Sequence, residues 1–466
     1  MKADKIVSVL IGAALICSSC KTVEYARDIQ NPEMQRPGER TVSALEIGIE
    51  AGRVMQLAEL EDIAVRFYPD VILAQEAVES ARLALREAGG GYLPDVSASI
   101  SHNRSTHNVD RHARRSTGNT GNWSASLSMN WTVYDFGKTS LEVKRARENL
   151  RAAEQDLRNA QSLAIYNVRT AFFALMRCIE LDKVAQEAVE QYKEHLEQVK
   201  LKKEVGKSNA YDIRKAEVDW NTAVLENITT SHNVQNAWGN LNKALGLAEE
   251  PSYKLGTGQM REYELDLAKM MRLAEEKEPA LASLNAKVQA ATLYIDRTIA
   301  SLYPTLGINL GATLSGRNTG LPWLWNLSGG ASLAETIFNG GSNLRQIEGA
   351  VIELRRARTQ VSARKQDLYE KLRRAILTAQ RAEKQLEVAT LAEKQALDNL
   401  NLVNEQFNVG RASSVERTDA QVSHSAAKAS AISARYDRQD SLAAIAYLTG
   451  DFTLPGDIKD LGRKDK

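Results

Sequence analysis

Two periodicities alternate along this chain. Apolar residues recur at three- and four-residue steps from Val54 to Phe67 and from Val71 to Ala88, which predicts two amphipathic helices. Tyr68-Pro69 separates them, because proline disfavours helix at the residue before it. Gly89-Gly90-Gly91 is expected to end the run. The longest helical pattern runs from Lys138 to Val205 without a proline, with Leu150, Leu157, Ala164, Val168, Phe172 and Leu175 on its apolar stripe. A second runs from Ser342 to Val409, through Leu354, Val361, Leu368, Leu372 and Leu400. Each covers 68 residues (205 − 138 + 1 and 409 − 342 + 1), a rod of about 100 Å at helical rise. Shorter helical patterns follow, Ala210 to Leu245 and Ser414 to Leu448, so each rod and its follower predict a hairpin turning at Gly206 or Gly410.

Elsewhere the period is two. Val96, Ala98 and Ile100 alternate with serines, and from Trp123 the chain reads Trp, Ser, Ala, Ser, Leu, Ser, Met, Asn, Trp. Leu306, Ile308, Leu310, Ala312 and Leu314 alternate with Gly307, Asn309, Gly311, Thr313 and Ser315. Such segments are strands with one apolar face and one face of Ser, Asn, Thr and Gly. A fourth strand is expected over Asn326 to Ile337, where Glu335 falls on the apolar face. Strands of about ten residues cross a bilayer when tilted, and Trp123, Trp131, Trp323 and Trp325 stand at or near strand ends, where aromatic girdles belong. Lipid-facing backbone must be paired, and barrels start at about eight strands, so four strands must be completed by further copies. Two copies give a filled lumen and three give room for a passage.

The pattern is written twice. Pro69/Pro279 and Pro94/Pro304 are separated by 210 positions (279 − 69), and Gly137/Gly341, Gly206/Gly410 and Gly246/Gly450 by 204. The first half therefore carries about six extra residues in one loop between Pro94 and Gly137. The expected organisation is a signal peptide over 1–19, a tether over 20–53, and a first repeat over 54–250 with β-hairpin 95–134 and helical hairpin 138–246. The second repeat covers 251–450, with β-hairpin 305–337 and helical hairpin 341–449, before a tail over 451–466.

Charge and cysteine change the picture at the N-terminus and narrow the partners. A formal net charge of +1 supplies no basic field for nucleic acid. Lys2 and Lys5 precede an apolar run from Ile6 to Ile16, then Cys17-Ser18-Ser19-Cys20 places small residues before a cysteine, as bacterial lipoprotein signals do. Lipidation at Cys20 is expected, with an ordinary cleaved signal or an N-terminal anchor as the alternative. Lys21, not aspartate, follows it, which resembles an outer-membrane address. Only Cys178 then remains, so no intrachain disulfide is expected.

Signals for catalysis fail. Gly137-Lys138-Thr139 and Gly206-Lys207-Ser208 resemble the end of a phosphate loop, but Thr132 and Leu201 stand where that motif needs glycine. His102, His107 and His112, five apart in the loop of the first β-hairpin, match no zinc spacing. Arg104, Arg111, Arg114 and Arg115 share that loop with Asp110, a solvated cluster with charge suited to lipid phosphates. No enzyme, cofactor or metal is expected beyond the covalent lipid.

Tyr68-Pro69-Asp70, Gly91-Tyr92-Leu93-Pro94, Val133-Tyr134-Asp135-Phe136-Gly137, Phe338-Asn339-Gly340-Gly341 and the Val-Gly turns resemble the TolC family of outer-membrane efflux proteins, over both halves from about Leu57 to Gly450. The resemblance implies a mainly α fold with membrane β. In it a homotrimer forms a twelve-stranded outer-membrane β-barrel continuous with a periplasmic α-barrel. It implies a passive exit duct of tripartite efflux or type I secretion, set in outer-membrane lipid and docked to a periplasmic adaptor that links it to an inner-membrane pump.

Carried over residue by residue, Val205-Gly206-Lys207-Ser208 and Val409-Gly410-Arg411-Ala412 match the family's adaptor-docking tips, although Lys207 and Arg411 replace the apolar residue common there. Asp212, Glu416 and Asp419 match acidic positions around the periplasmic aperture. The alternative for them is a carboxylate stabilising its own helix N-terminus. Phe407 stands where some members have a tyrosine that helps hold the mouth shut, and lacks its hydroxyl. A periplasmic adaptor predicts one hairpin among soluble β segments, and a coiled-coil lipoprotein predicts no Ser-alternating strands. Two hairpins and four such strands disfavour both.

Overall fold

A computed structural model describes residue 26 and residues 43–46, 48–49, 52–105, 120–204, 209–247, 253–317 and 324–451. In chain order the elements are β1 (Val54–Met55), α1 (Leu57–Phe67), α2 (Pro69–Gly90), β2 (Asp95–Ser105), β3 (Thr120–Tyr134), α3 (Lys138–Glu204) and α4 (Ala210–Ala244). The second half repeats them as β4 (Lys254–Leu255), α5 (Leu267–Lys277), α6 (Pro279–Ala300), β5 (Thr305–Arg317), β6 (Leu324–Ala334), α7 (Ser342–Asn408) and α8 (Ser414–Thr449). The chain forms two compact units, one from residues 77–154 and 283–361, the other from 37–76, 155–282 and 362 onward.

The first unit holds an antiparallel sheet in the order β2-β3-β5-β6. Its register sorts the faces through the middle of the sheet, and the sorting lapses only at one end, where His102 and Arg104 fall on the apolar side and Leu324 joins the row of Ser101, Ser124 and Ser315. Val96, Met129 and Leu310 share one row, and Ala98, Leu127, Ala312 and Leu327 the next. The opposite face carries rows such as Ser97, Ser128, Gly311 and Ser328. Three serine pairs link β2 to β3 there, Ser97–Ser128, Ser99–Ser126 and Ser101–Ser124, at 2.7–2.8 Å. A register shift between Thr132 and Tyr134 returns Tyr134 to the apolar face opposite Leu306, as a one-residue bulge must. Below the sheet, Asp135 caps α3. Its carboxylate accepts from Gly137 N (3.1 Å), Thr139 N (2.7 Å) and Thr139 Oγ1 (2.5 Å).

The second unit holds the two helical hairpins side by side in the order α4-α3-α8-α7. Asp182 of α3 accepts from Thr230 of α4 at 2.7 Å, Arg177 of α3 meets Asp437 of α8 at 2.9 Å, and Arg417 of α8 donates to Asn404 of α7 at 2.8 Å. The duplication reaches the core. One buried cluster contains Met270, Ala274, Leu368, Leu372, Ile376, Ala379, Ile445 and Leu448. At offsets of 210 or 204 these correspond to Leu60, Ala64, Ala164, Val168, Phe172, Leu175, Leu241 and Ala244, all members of the other cluster. Glycine is required where each repeat closes. Gly246 (φ 79°) and Gly450 (φ 65°) are left-handed, and a β-carbon would lie 2.9 Å from Phe67 O or 2.7 Å from Lys277 O.

Four expectations need correction. His102 and Arg104, expected in the loop of the first β-hairpin, lie in β2 opposite Trp123 and Gly121, because the strand pairing runs on to Ser105. Val54 and Met55 are a strand and not the start of a helix, because they pair in parallel with Lys254 and Leu255, a tertiary partner that local periodicity does not contain. α2 continues through Gly89 and Gly90, since glycine weakens a helix by about 1 kcal/mol without forbidding it. β6 ends at Ala334, so Glu335 lies beyond the strand and puts no charge on the apolar face.

Candidate functional site

Two regions are candidates for the functional site. The first is the sheet. Its apolar face is exposed, including Val96, Ile100, Leu127, Leu310, Leu327 and Leu333. A monomer in water would leave this surface unburied, at about 25 cal/mol per Å². Aromatic residues border it. His102 stacks on Trp123 (4.3 Å) near one end, and Trp131 Nε1 donates to Tyr92 O (3.0 Å) near the other, where Phe136 (φ 54°) lies between Tyr134 and Tyr303. Among the described residues, no helix is long and apolar enough to cross a membrane. His107, His112, Asp110, Arg111, Arg114, Arg115 and Trp323 lie outside the described residues, as does Cys20 with its signal segment and most of its tether. No cluster able to hold a metal occurs among the described residues.

The second region is the end of the helical hairpins. Val205, Gly206, Lys207 and Ser208 lie outside the described residues. The other tip is ordered by its backbone. Gly410 is left-handed (φ 77°), and Gln406 O accepts from Arg411 N at 2.8 Å, closing the helix in a Schellman-type turn. Val409, Gly410 and Arg411 are exposed and Ala412 is half-buried.

The acidic positions divide. Asp212 and Glu416, equivalent at an offset of 204, each close a capping box, with Asn209 and Ser413 respectively. Hydrogen bonds from Ser413 hold the Glu416 carboxyl below its usual range. Both carboxylates therefore sit at their own helix N-termini, where the helix dipole favours them. Asp419 makes no such cap and is exposed one turn further on.

Beside the tip is a cluster that periodicity alone did not single out. Phe407 is buried, with Lys202 Nζ 3.3 Å from its ring centroid, Arg417 at 5.3 Å and the His195 ring edge-on at 5.7 Å. Arg417 can only donate, so His195 Nδ1 accepts from it (2.7 Å) and Nε2–H donates to Ser414 Oγ (2.8 Å). Lys202 and Arg417 thus hold Phe407 by its ring and not through a hydroxyl. One signal was available: His195 follows Val184 by eleven residues, three helical turns, and so falls on the buried stripe.

Burial, followed by the charges of Arg417 and Lys202, lowers the His195 pKa to about 4 from 6.5. The unfolded chain takes up this proton first as pH falls. The stabilisation is therefore complete above pH 6.5 and is lost on the way down to pH 4. The expected result is a melting temperature that drops over this window, and a shallower drop in His195→Gln. Equal slopes in scanning fluorimetry would show that His195 does not couple to folding.

A concavity of about 1050 Å³ is lined by Ser425, Ala429, Ser430 and Ser433, with Thr230 and Arg381 beside them.

Proteins with similar sequences and folds are outer-membrane proteins. The outer membrane efflux protein BepC of Brucella suis is 21% identical over 374 residues, covering 78% of this chain and 79% of that protein. The probable outer membrane lipoprotein SilC of Salmonella typhimurium is 22% identical over 397 residues, covering 82% and 83%. The crystal structure of the Campylobacter jejuni CmeC outer membrane channel superposes with a TM-score of 0.73 at 17% identity, covering 87% of this chain and 88% of that one. The sequence pattern described as "Outer membrane efflux protein" matches residues 67–247 and again 270–451, one match for each half of the internal repeat. With two matched halves, an exposed apolar sheet face and paired helical hairpins, this chain belongs to the outer membrane efflux protein family, as an exit duct of the outer membrane.

Proposed function

We propose that three copies assemble into a passive, non-enzymatic duct of a tripartite efflux or type I secretion system. Its β-barrel would have twelve strands, and its helices would continue the passage through the periplasm. The observation that carries this reading is the sheet, with β2 and β6 unpaired at its edges among the described residues and one face apolar through its middle rows. A membrane sheet tolerates no open edge, and edge-to-edge closure of three copies leaves the Ser-, Asn- and Thr-bearing face around water.

The tips Val205 to Ser208 and Val409 to Ala412 dock a periplasmic adaptor, which links the duct to an inner-membrane pump. Exposed Val409 supports this on the described tip. Lys207 and Arg411 give the contact a cationic element that suits an acidic adaptor surface. Asp419 rings the mouth, with Asp212 and Glu416 adding field from their capping positions, so the aperture favours cations. Cys20 carries a lipid anchor, a reading supported by the lipoprotein designation of SilC.

Single-channel conductance in planar bilayers tests the duct. Wild type is expected to show a small, cation-selective conductance, and Asp419→Ala a severalfold loss of selectivity. Silence from protein shown to be folded and inserted would remove the channel reading.

A further inference from the structure

Residues of α3, α7 and α8 line a second concavity, of about 500 Å³, which shares Arg381, Gln385 and Asp437 with the larger one. That volume suits a small organic molecule. Its apolar lining includes the rings of Tyr166 and Tyr447, stacked with centroids 5.1 Å apart, and the buried Ala382 and Leu448.

Five charged side chains share the lining, and three of them already have partners. Lys371 pairs with Asp367 (2.9 Å), Arg374 with Glu370 (2.6 Å) and Asp437 with Arg177 (2.9 Å). Arg381 and Asp440 remain. The Arg381 side chain is exposed and has no hydrogen-bond or ion-pair partner among the described residues. Asp440 Oδ1 is shielded from water and accepts no hydrogen bond, a state that buried acceptors rarely keep. Asp440 is close enough to the aromatic pair that, after burial, its charge is the next cause pushing the Tyr166 phenol up.

The internal repeat shows that the architecture does not require these groups. At the offset of 204, Asp440 corresponds to Asn236 (440 − 204) and Tyr447 to Lys243, so the first half has neither the carboxylate nor the ring at those places. Arg381 corresponds to Arg177, which is committed to Asp437. The open cation, the open carboxylate and the stacked rings therefore belong to this concavity and not to the helical hairpin as such.

We infer that this concavity binds a small zwitterion with an aromatic body, of the amino-acid type. The ligand's carboxylate takes the guanidinium fork of Arg381, which suits a planar two-oxygen partner. Its ammonium neutralises Asp440, and its ring lies against Tyr166 and Tyr447, whose faces also favour a cation. An aromatic molecule with one charge alone leaves either Arg381 or Asp440 without a partner and so binds more weakly. Every group comes from a single copy, so the site is independent of how many copies form the duct.

Three fluorescent probes with one aromatic body test the assignment in full-length protein purified in detergent. Nε-dansyl-lysine carries both charges, monodansylcadaverine only the ammonium, and dansylglycine only the carboxylate. In wild type, Nε-dansyl-lysine is expected to bind saturably and about tenfold tighter than either of the others, the worth of one charge-assisted contact. Asp440→Asn, which installs the residue found at 236, is expected to remove the preference over dansylglycine and leave dansylglycine binding unchanged. Arg381→Gln is expected to remove the preference over monodansylcadaverine and leave that probe unchanged. Equal affinities for the three probes in wild type, no saturable binding, or a preference that survives its substitution would overturn the site. The wild-type comparison decides by itself if a variant loses its circular dichroism spectrum, and none of these outcomes alters the conductance test of the duct.

Discussion

Glu278→Ala is expected to cost about 3 kcal/mol of stability, the lower end of the range for orphaning one member of a buried ion pair. Glu278 is buried in the bend between α5 and α6, immediately before Pro279. One carboxylate oxygen accepts from Leu281 N at 2.7 Å, capping α6, and the other accepts from Arg364 of α7. Alanine uncaps the helix and leaves the guanidinium partly desolvated. The cost stays at the lower end because Arg364 retains Asp367 at 3.1 Å. Glu278→Gln keeps the capping oxygen and is expected to recover about 1 kcal/mol of the loss, the worth of a cap. The measurement is the unfolding midpoint in denaturant. An alanine variant within about 0.5 kcal/mol of wild type, the range of ordinary surface changes, would show that this junction does not hold the repeats.

A pair of neighbouring substitutions reads the orientation of the sheet. Leu127 lies mid-strand in the row with Ala98, Ala312 and Leu327, whereas Ser126 points to the opposite face beside Ser99 and Thr313. Leu127→Arg places a charge near the bilayer midplane and is expected to cost about 2–4 kcal/mol per copy. It should deplete folded protein from the outer membrane. Ser126→Arg faces water in the proposed barrel. It is expected to insert normally and to reduce both conductance and cation selectivity, because three guanidinium groups then enter the lumen. Heat-modifiable migration on gels reports insertion, and planar-bilayer recording reports the pore. The opposite pattern, with Leu127→Arg tolerated and Ser126→Arg excluded from the membrane, would place the apolar face inward and remove the barrel.

Much of this architecture was legible before any coordinates. The alternation of serines with apolar residues marks β2 and β3 and assigns their faces, because the strand period of two leaves no third choice. α7 ends at Asn408, one residue short of its expected limit, because the left-handed Gly410 closes it, and Pro69 and Pro279 open α2 and α6 where the periodic pattern breaks. The 204-residue repeat anticipated which positions share a core. Glycines Gly246 and Gly450 were visible as repeat landmarks, although the close approach that demands them was not.

Other features depend on residues far apart in the chain. Val54 and Met55 become a strand because Lys254 and Leu255 lie alongside. Asp212 and Glu416 matched aperture acids by sequence, and the fold shows their carboxylates also capping α4 and α8. Phe407 looked like a lost hydroxyl, and packing surrounds it with Lys202, Arg417 and His195 from two other helices. The sequence by itself determined the elements, their duplication and the polarity of each face, because these follow from periodicities of two and 3.6 residues and from local steric rules. Only the tertiary structure decided the ion pairs, the aromatic–cation cluster and the unpaired outer helices, because those contacts join residues that packing brings together from distant parts of the chain.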